Sequence, residues 1–138
     1  MSYPFDKTRS YRAQCINVVD GDTADFLVDL GFRQYMKTRF RFARINTPEL
    51  SSADPAVRAK AQEAKDFVIK AIGSLQGPAF TDNAYNCRLV AAKDPDNYGR
   101  WLAEVYYAPG GDPARGSYVE LSLNQALLDT GLAVLYKG

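Results

Sequence analysis

Residues 12–45 read RAQCINVVDGDTADFLVDLGFRQYMKTRFRFARI, and this stretch decides the fold. Two turn-forming breaks, Asp20-Gly21-Asp22-Thr23 and Gly31-Phe32-Arg33-Gln34, divide it into three strand-like segments. The first runs from Arg12 to Val19 and carries Cys15 and Val19 among its apolar residues. The second, Thr23 to Leu30, sets Ala24, Phe26, Val28 and Leu30 against Thr23, Asp25 and Asp29, with Leu27 the one exception. Alternation of period two marks a half-buried strand. The third, Tyr35 to Ile45, puts Phe40 and Phe42 on one face and Arg39 and Arg41 on the other. Strict alternation would leave Arg44 on the phenylalanine face, and a bulge near Ala43 is the expected remedy.

Asn46-Thr47-Pro48-Glu49 ends the third strand, and a loop leads to Asp54, a good cap for a helix with Pro55 at its first position. Val57, Ala61, Ala64, Val68, Ala71 or Ile72, and Leu75 then recur at helical spacing. Gly73 or Gly77-Pro78 is expected to stop this helix. Two strands follow, Tyr85 to Ala91 and Arg100 to Tyr107, then a short one near Tyr118 to Leu121. Ser122 caps a second helix to about Asp129, Gly131 falls at its stop, and Leu132 to Tyr136 is extended. The order predicts an α+β, mainly β fold: a five-stranded antiparallel barrel of the OB type with two packed helices. Residues 1–11 form an N-terminal arm in this reading, and residues 12–138 a single domain.

The chain has 138 residues, enough for one domain with a real core. Its net charge of +1 gives no global basic field, so any nucleic-acid affinity must come from a local patch. No stretch reads as a membrane span or as the apolar core of a signal peptide, so an intracellular protein, or one whose leader has been removed, is expected. Cys15 and Cys87 form no C-x-x-C pattern and read as small buried thiols, a disulfide being the minority alternative. The chain contains no histidine, which excludes Ser-His-Asp and Cys-His nucleophile systems and removes the commonest zinc ligand. Proton transfer then falls to Asp, Glu, Lys, Tyr or water.

Three stretches can carry chemistry, each at a strand end. Asp20-Gly21-Asp22-Thr23 offers two carboxylates around a tight turn, hard oxygen ligands for a cation such as calcium; alone, it reads first as an ordinary hairpin turn. Arg41-x-x-x-x-Asn46-Thr47-Pro48-Glu49 places a guanidinium in mid-strand and an amide oxygen and a carboxylate at the exit. Gly31 to Arg44 holds five basic residues and no acidic one, making this hairpin the local electropositive patch. A planar guanidinium can give a phosphate two parallel hydrogen bonds, and Glu49 can deprotonate a water. Alone, this stretch is also a solvated strand face and an ordinary turn. Asp96-Asn97-Tyr98-Gly99-Arg100 is a polar turn with an arginine opening the next strand and a tyrosine beside it, suited to stacking or a phosphate contact.

Taken together, in this order, the three stretches resemble the staphylococcal nuclease (thermonuclease) family. Its pattern D-G-D-T, R-x-x-x-x-D-T-P-E and D-x-Y-G-R lies on Asp20 to Thr23, Arg41 to Glu49 and Asp96 to Arg100. The tail from Leu123 to Ala133 is similar to the family's V-N-x-x-L-x-x-x-G-L-A helix, and the resemblance spans about residues 12 to 136. It implies an OB-type barrel and calcium-dependent hydrolysis of DNA and RNA that leaves 3'-phosphate ends. Separately, a monomer with no membrane partner is expected. The resemblance also implies roles. Asp22 would ligate the cation directly with Asp20 in support, Asn46 and the backbone carbonyl of Thr47 completing the set. Glu49 would orient or deprotonate the attacking water. Arg41 and Arg100 would hold the phosphate, and Tyr98 would touch a phosphate or nucleotide. Tyr136 is a candidate for the family's substrate tyrosine, one residue out of register.

The pattern is broken in three places. Asn46 stands where the family has aspartate; an amide oxygen can still ligate calcium but brings no charge. Asn97 replaces a lysine, and the family's long C-terminal helix is expected to be missing. Asn46 therefore supports a rival reading, a weak or inactive module that binds nucleic acid or a protein partner. A second rival, a single-strand binder of the OB type, would expose several aromatics on its sheet, whereas many of the nine Tyr and seven Phe residues fall at core positions.

Overall fold

The computed structural model describes residues 9–73, 87–107 and 120–136. Strand β1 (Ser10–Asp20) pairs antiparallel with β2 (Thr23–Gly31), and β2 with β3 (Gln34–Phe42). Strand β4 (Ile45–Asn46) is short, and helix α1 (Pro55–Ile72) follows. Then come β5 (Cys87–Ala91), β6 (Trp101–Tyr107), β7 (Leu121–Ser122), helix α2 (Leu123–Asp129) and β8 (Val134–Leu135). The main sheet runs β3-β2-β1-β5-β6-β7, and a further pairing of β3 with β6 closes the first five strands into a barrel. This is the expected OB-type α+β architecture. Its closing seam is parallel, Phe40 opposite Trp101 and Arg41 opposite Leu102, while the other pairings in that sheet are antiparallel.

Alternation fills the barrel. Ala13, Cys15, Ala24, Phe26, Val28, Phe40 and Phe42 from the first three strands meet Leu89, Ala103 and Val105 from β5 and β6. Burial of this apolar surface is the main stabilising force. Cys15 and Cys87 are buried thiols, and burial pushes the Cys15 thiol up to about 11. Asp54 caps α1 by accepting from Ala56 N–H, Pro55 takes the first turn, and Gly73 ends the helix; Leu75 and Gly77-Pro78 lie outside the described residues. The helix buries Ala61, Ala64, Val68 and Ile72, one stripe of the predicted spacing. Ser122 caps α2 by accepting from Gln125 N–H. Among the described residues no helix is long and apolar enough to cross a membrane.

The third strand departs from expectation. It stops at Phe42, and the chain turns through Ala43 and Arg44 with Arg44 at φ 70°, a left-handed conformation. No bulge is needed, because the left-handed residue redirects the side chain. Arg44 leaves the core and pairs with Glu104 at 2.7 Å, Nε and Nη2 each donating to one carboxylate oxygen. Asn124, fully buried on α2, locks the same turn by donating to the Ala43 and Ala103 carbonyls while accepting from Val105 N–H. Strand β1 begins at Ser10, inside the segment expected to be an arm, and Tyr85 and Tyr118, expected at strand starts, lie outside the described residues.

Candidate active site

Three turns meet at one end of the barrel. The first joins β1 to β2. The Asp20 carboxylate accepts from Asp22 N–H at 3.0 Å, Thr23 Oγ1 donates to Asp22 Oδ1, and Thr47 N–H donates to Asp22 Oδ2. Gly21 sits so close to α1 that an added Cβ would lie 2.7 Å from Ala64 Cβ and 3.0 Å from the Thr47 side chain. No side chain fits there, so the turn presses directly against the helix and against the strand exit at Thr47. Burial and the adjoining Asp22 push the Asp20 carboxyl up to about 6. Burial opposes ionisation of Asp22 too, but hydrogen bonds from Asp20 and Thr47 N–H, with the Arg41 charge, hold it below its ordinary value.

The second turn is the β3–β4 connection. Arg41 is buried, with its side chain 7% exposed, and its guanidinium is fixed by the turn it precedes. Nη1 donates to the Phe42 and Ile45 carbonyls, and Nη2 donates to Asn46 Oδ1 at 2.7 Å and lies 3.5 Å from Asp22 Oδ2. β8 pairs antiparallel with β4, Val134 opposite Asn46, and Tyr136 N–H donates to the Arg44 carbonyl. That pairing brings the Tyr136 ring to 5.0 Å from the Arg41 guanidinium.

The third turn precedes β6, with Gly99 at φ 76°. Asp96 organises it: Oδ1 accepts from Tyr98 and Arg100 N–H, and Oδ2 accepts from Arg100 Nε at 2.8 Å. Desolvation disfavours the charged Asp96, but those N–H groups and the Arg100 guanidinium outweigh it and hold its carboxyl below the usual range. The exposed Tyr98 ring lies 5.2 Å from the Arg100 guanidinium.

A cleft of about 440 Å³ opens where these turns meet. Asp20, Asp22, Arg41, Asn46, Glu49, Tyr98, Arg100 and Tyr136 all line it, so eight of the nine sequence-predicted residues come together. Thr47, the ninth, is buried and reaches the site through its N–H on Asp22. Thr23 also lines the cleft, its role hinted at by the last letter of D-G-D-T. Asp96 was missed as a positioning group; the signal was a carboxylate four residues before an arginine across a Gly turn. Tyr136 is brought in by strand pairing, which no local motif encodes.

Two carboxylates and an amide oxygen are hard donors of the kind a divalent cation such as calcium takes. Among the described residues no three His, Cys, Asp or Glu side chains form a metal cluster, so a cation here would depend on Asn46, backbone oxygens and water for the rest of its shell. Burial first, and then the neighbouring Asp22, raise the Asp20 carboxyl, and a cation held here would favour its ionised form.

No curated protein matches this chain. A family model described as Staphylococcal nuclease homologue matches residues 39–138, which include the end of β3, the Arg41 to Glu49 exit, the Asp96 to Arg100 turn and both helices. A match over that much of the sequence, on a barrel of the expected kind, makes the chain a member of the staphylococcal nuclease homologue family.

Proposed function

We propose that this protein is a calcium-dependent nuclease that hydrolyses phosphodiester bonds of DNA or RNA by in-line attack of water, leaving 3'-phosphate ends. Family membership supports a nuclease or nucleic-acid-binding role. The observation that carries the finer reading is the convergence of Asp22, Glu49, Arg41 and Arg100 on one cleft.

Asp22, Asp20 and Asn46 are the residues that would hold the cation. It would supply positive charge to the phosphate and favour ionisation of a bound water. Glu49, exposed at the rim, accepts a proton from the attacking water as its oxygen bonds to phosphorus. The bond from phosphorus to the 5'-oxygen breaks, and that oxygen takes a proton to become a hydroxyl. Arg100, steadied by Asp96, neutralises charge building on the phosphoryl oxygens. Arg41 adds positive charge from the cleft floor, where its bonds to the Phe42 and Ile45 carbonyls hold it in place at no reorganisation cost.

The test is incubation of the pure protein with single-stranded DNA and RNA, with calcium or with a chelator. Calcium-dependent cutting to 3'-phosphate ends, lost in Glu49→Gln and reduced on the order of 100-fold or more in Arg100→Ala, is expected. Tight binding with no cutting at any calcium concentration would replace it with the second reading, a binding module. One observation favours that reading: the Asn46 amide oxygen is engaged by Arg41.

A further inference from the structure

A second groove, of about 430 Å³, continues from the cleft along β3 and the start of β6. It shares Thr23, Arg41 and Arg100 with the cleft, so the two adjoin. Lys37, Arg39, Arg41 and Arg100 line it, and among the described residues no carboxylate does. Positions 37, 39 and 41 share one face of β3 by alternation. Arg39 is steadied from the side by Asp25, which accepts from Nε and Nη2, leaving the Nη1 donors for another partner. At the far end stands Trp101, the only tryptophan of the chain and 41% exposed although it lies opposite Phe40 on the closing seam. Beyond it a smaller cavity of about 220 Å³ is walled by Met36, Leu30 and Tyr11 and shares Thr38 and Trp101 with the basic groove.

An indole at the junction of a cationic groove and an apolar one suits a ligand that alternates phosphate and flat base. We propose that this groove is a second nucleic-acid subsite, which carries a single strand away from the reacting phosphate: Lys37 and Arg39 contact backbone phosphates, and Trp101 stacks on a base. The substrate class rests on the nuclease reading; the site rests on the groove's own charge, the residues it shares with the cleft and the exposed indole. Stacking needs an unpaired base, so the subsite favours single strands over duplex. Because every base has a π-face, it confers little sequence preference. No motif announces it, since Lys37 and Trp101 are brought together by the parallel seam.

The single tryptophan makes the test direct. Oligothymidylate of roughly a dozen nucleotides is titrated into the whole protein in excess chelator, reading Trp101 emission and the anisotropy of a labelled strand together. Saturable quenching is expected. Lys37→Gln should weaken binding severalfold and lower the slope of log affinity against log salt by about 1. Trp101→Ala should weaken it about tenfold, with Trp101→Phe closer to the wild type. Polyglutamate should not quench. Emission that stays constant while anisotropy saturates, no binding at all, equal quenching by polyglutamate, or wild-type affinity in both Lys37→Gln and Trp101→Ala would each overturn the subsite. Addition of calcium to the same samples separates the two claims. Quenching without cutting removes the nuclease reading and keeps the subsite; cutting without quenching does the reverse.

Discussion

The Arg41 guanidinium donates to the Asn46 amide oxygen at 2.7 Å, joining the arginine expected on the phosphate to the residue expected on the cation. Nη2 of Arg41 sits between Asn46 Oδ1 and Asp22 Oδ2, so a positive group already stands between two of the proposed metal donors. A cation and Arg41 therefore compete for the same oxygens, and the outcome depends on how much negative charge the pair of donors carries.

Asn46→Asp adds a full charge to that contest. Calcium affinity rises with the number of charged ligands. Titration calorimetry should show a dissociation constant tighter by about tenfold or more, from a millimolar starting range typical of weakly charged sites. An unchanged constant would take Asn46 out of the ligand set.

Asp96 should matter to rate through its hold on Arg100 and on the turn that carries Tyr98. Asp96→Ala deletes the acceptor of two backbone N–H groups and the partner of the guanidinium. We expect a small loss of stability, as for losing a cap-like acceptor, and a fall of roughly tenfold or more in kcat/KM. Asp96→Asn retains an acceptor oxygen for the turn and should recover stability while still lowering the rate. A rate unaltered in both variants would mean that Arg100 is placed without Asp96.

Arg44 combines an ion pair with a left-handed backbone. Glu104 is 3% exposed, so Arg44→Ala leaves its carboxylate with Ser122 Oγ as its side-chain donor among the described residues. Because the Arg44 side chain is itself 34% exposed, the cost is placed below that of a fully buried pair, at roughly 2–3 kcal/mol. Arg44→Gly loses the same pair but suits φ 70°, and should unfold at a higher denaturant concentration than Arg44→Ala, by about 1 kcal/mol in stability. Equal midpoints would show that the turn carries no backbone strain.

The β2–β3 hairpin offers a gain. Its two-residue loop, Phe32-Arg33, has φ 56° and 59°, the conformation in which Asn-Gly is preferred. Phe32 is 98% exposed and gives nothing to the core. Replacing Phe32-Arg33 with Asn-Gly should stabilise the fold by about 1–3 kcal/mol, read as a melting point higher by several degrees. No rise would mean that the unfolded state carries the difference instead.

The strands, the caps at Asp54 and Ser122, and the carboxylate turn were all legible in the sequence, because each is encoded by neighbours a few residues apart. The break after Phe42 was not. Its cause is a positive φ at an arginine, paid for by Glu104 and Asn124 from distant elements. The joining of Tyr136 to Arg41 and of Trp101 to Lys37 was likewise hidden, because periodicity tells which way a side chain faces and not which strand lies beside it. Asp96 was visible as a letter, but its four-residue reach to Arg100 emerges only once Gly99 adopts φ 76°.

Gly21 has no Cβ because Ala64 leaves no room for one, and so the carboxylate turn rides on the helix without a cushion. A side chain larger than alanine at position 64 would press on the Gly21 backbone, between Asp20 and Asp22. The width of the cleft is thereby tied to the bulk of one buried residue on the inner face of α1.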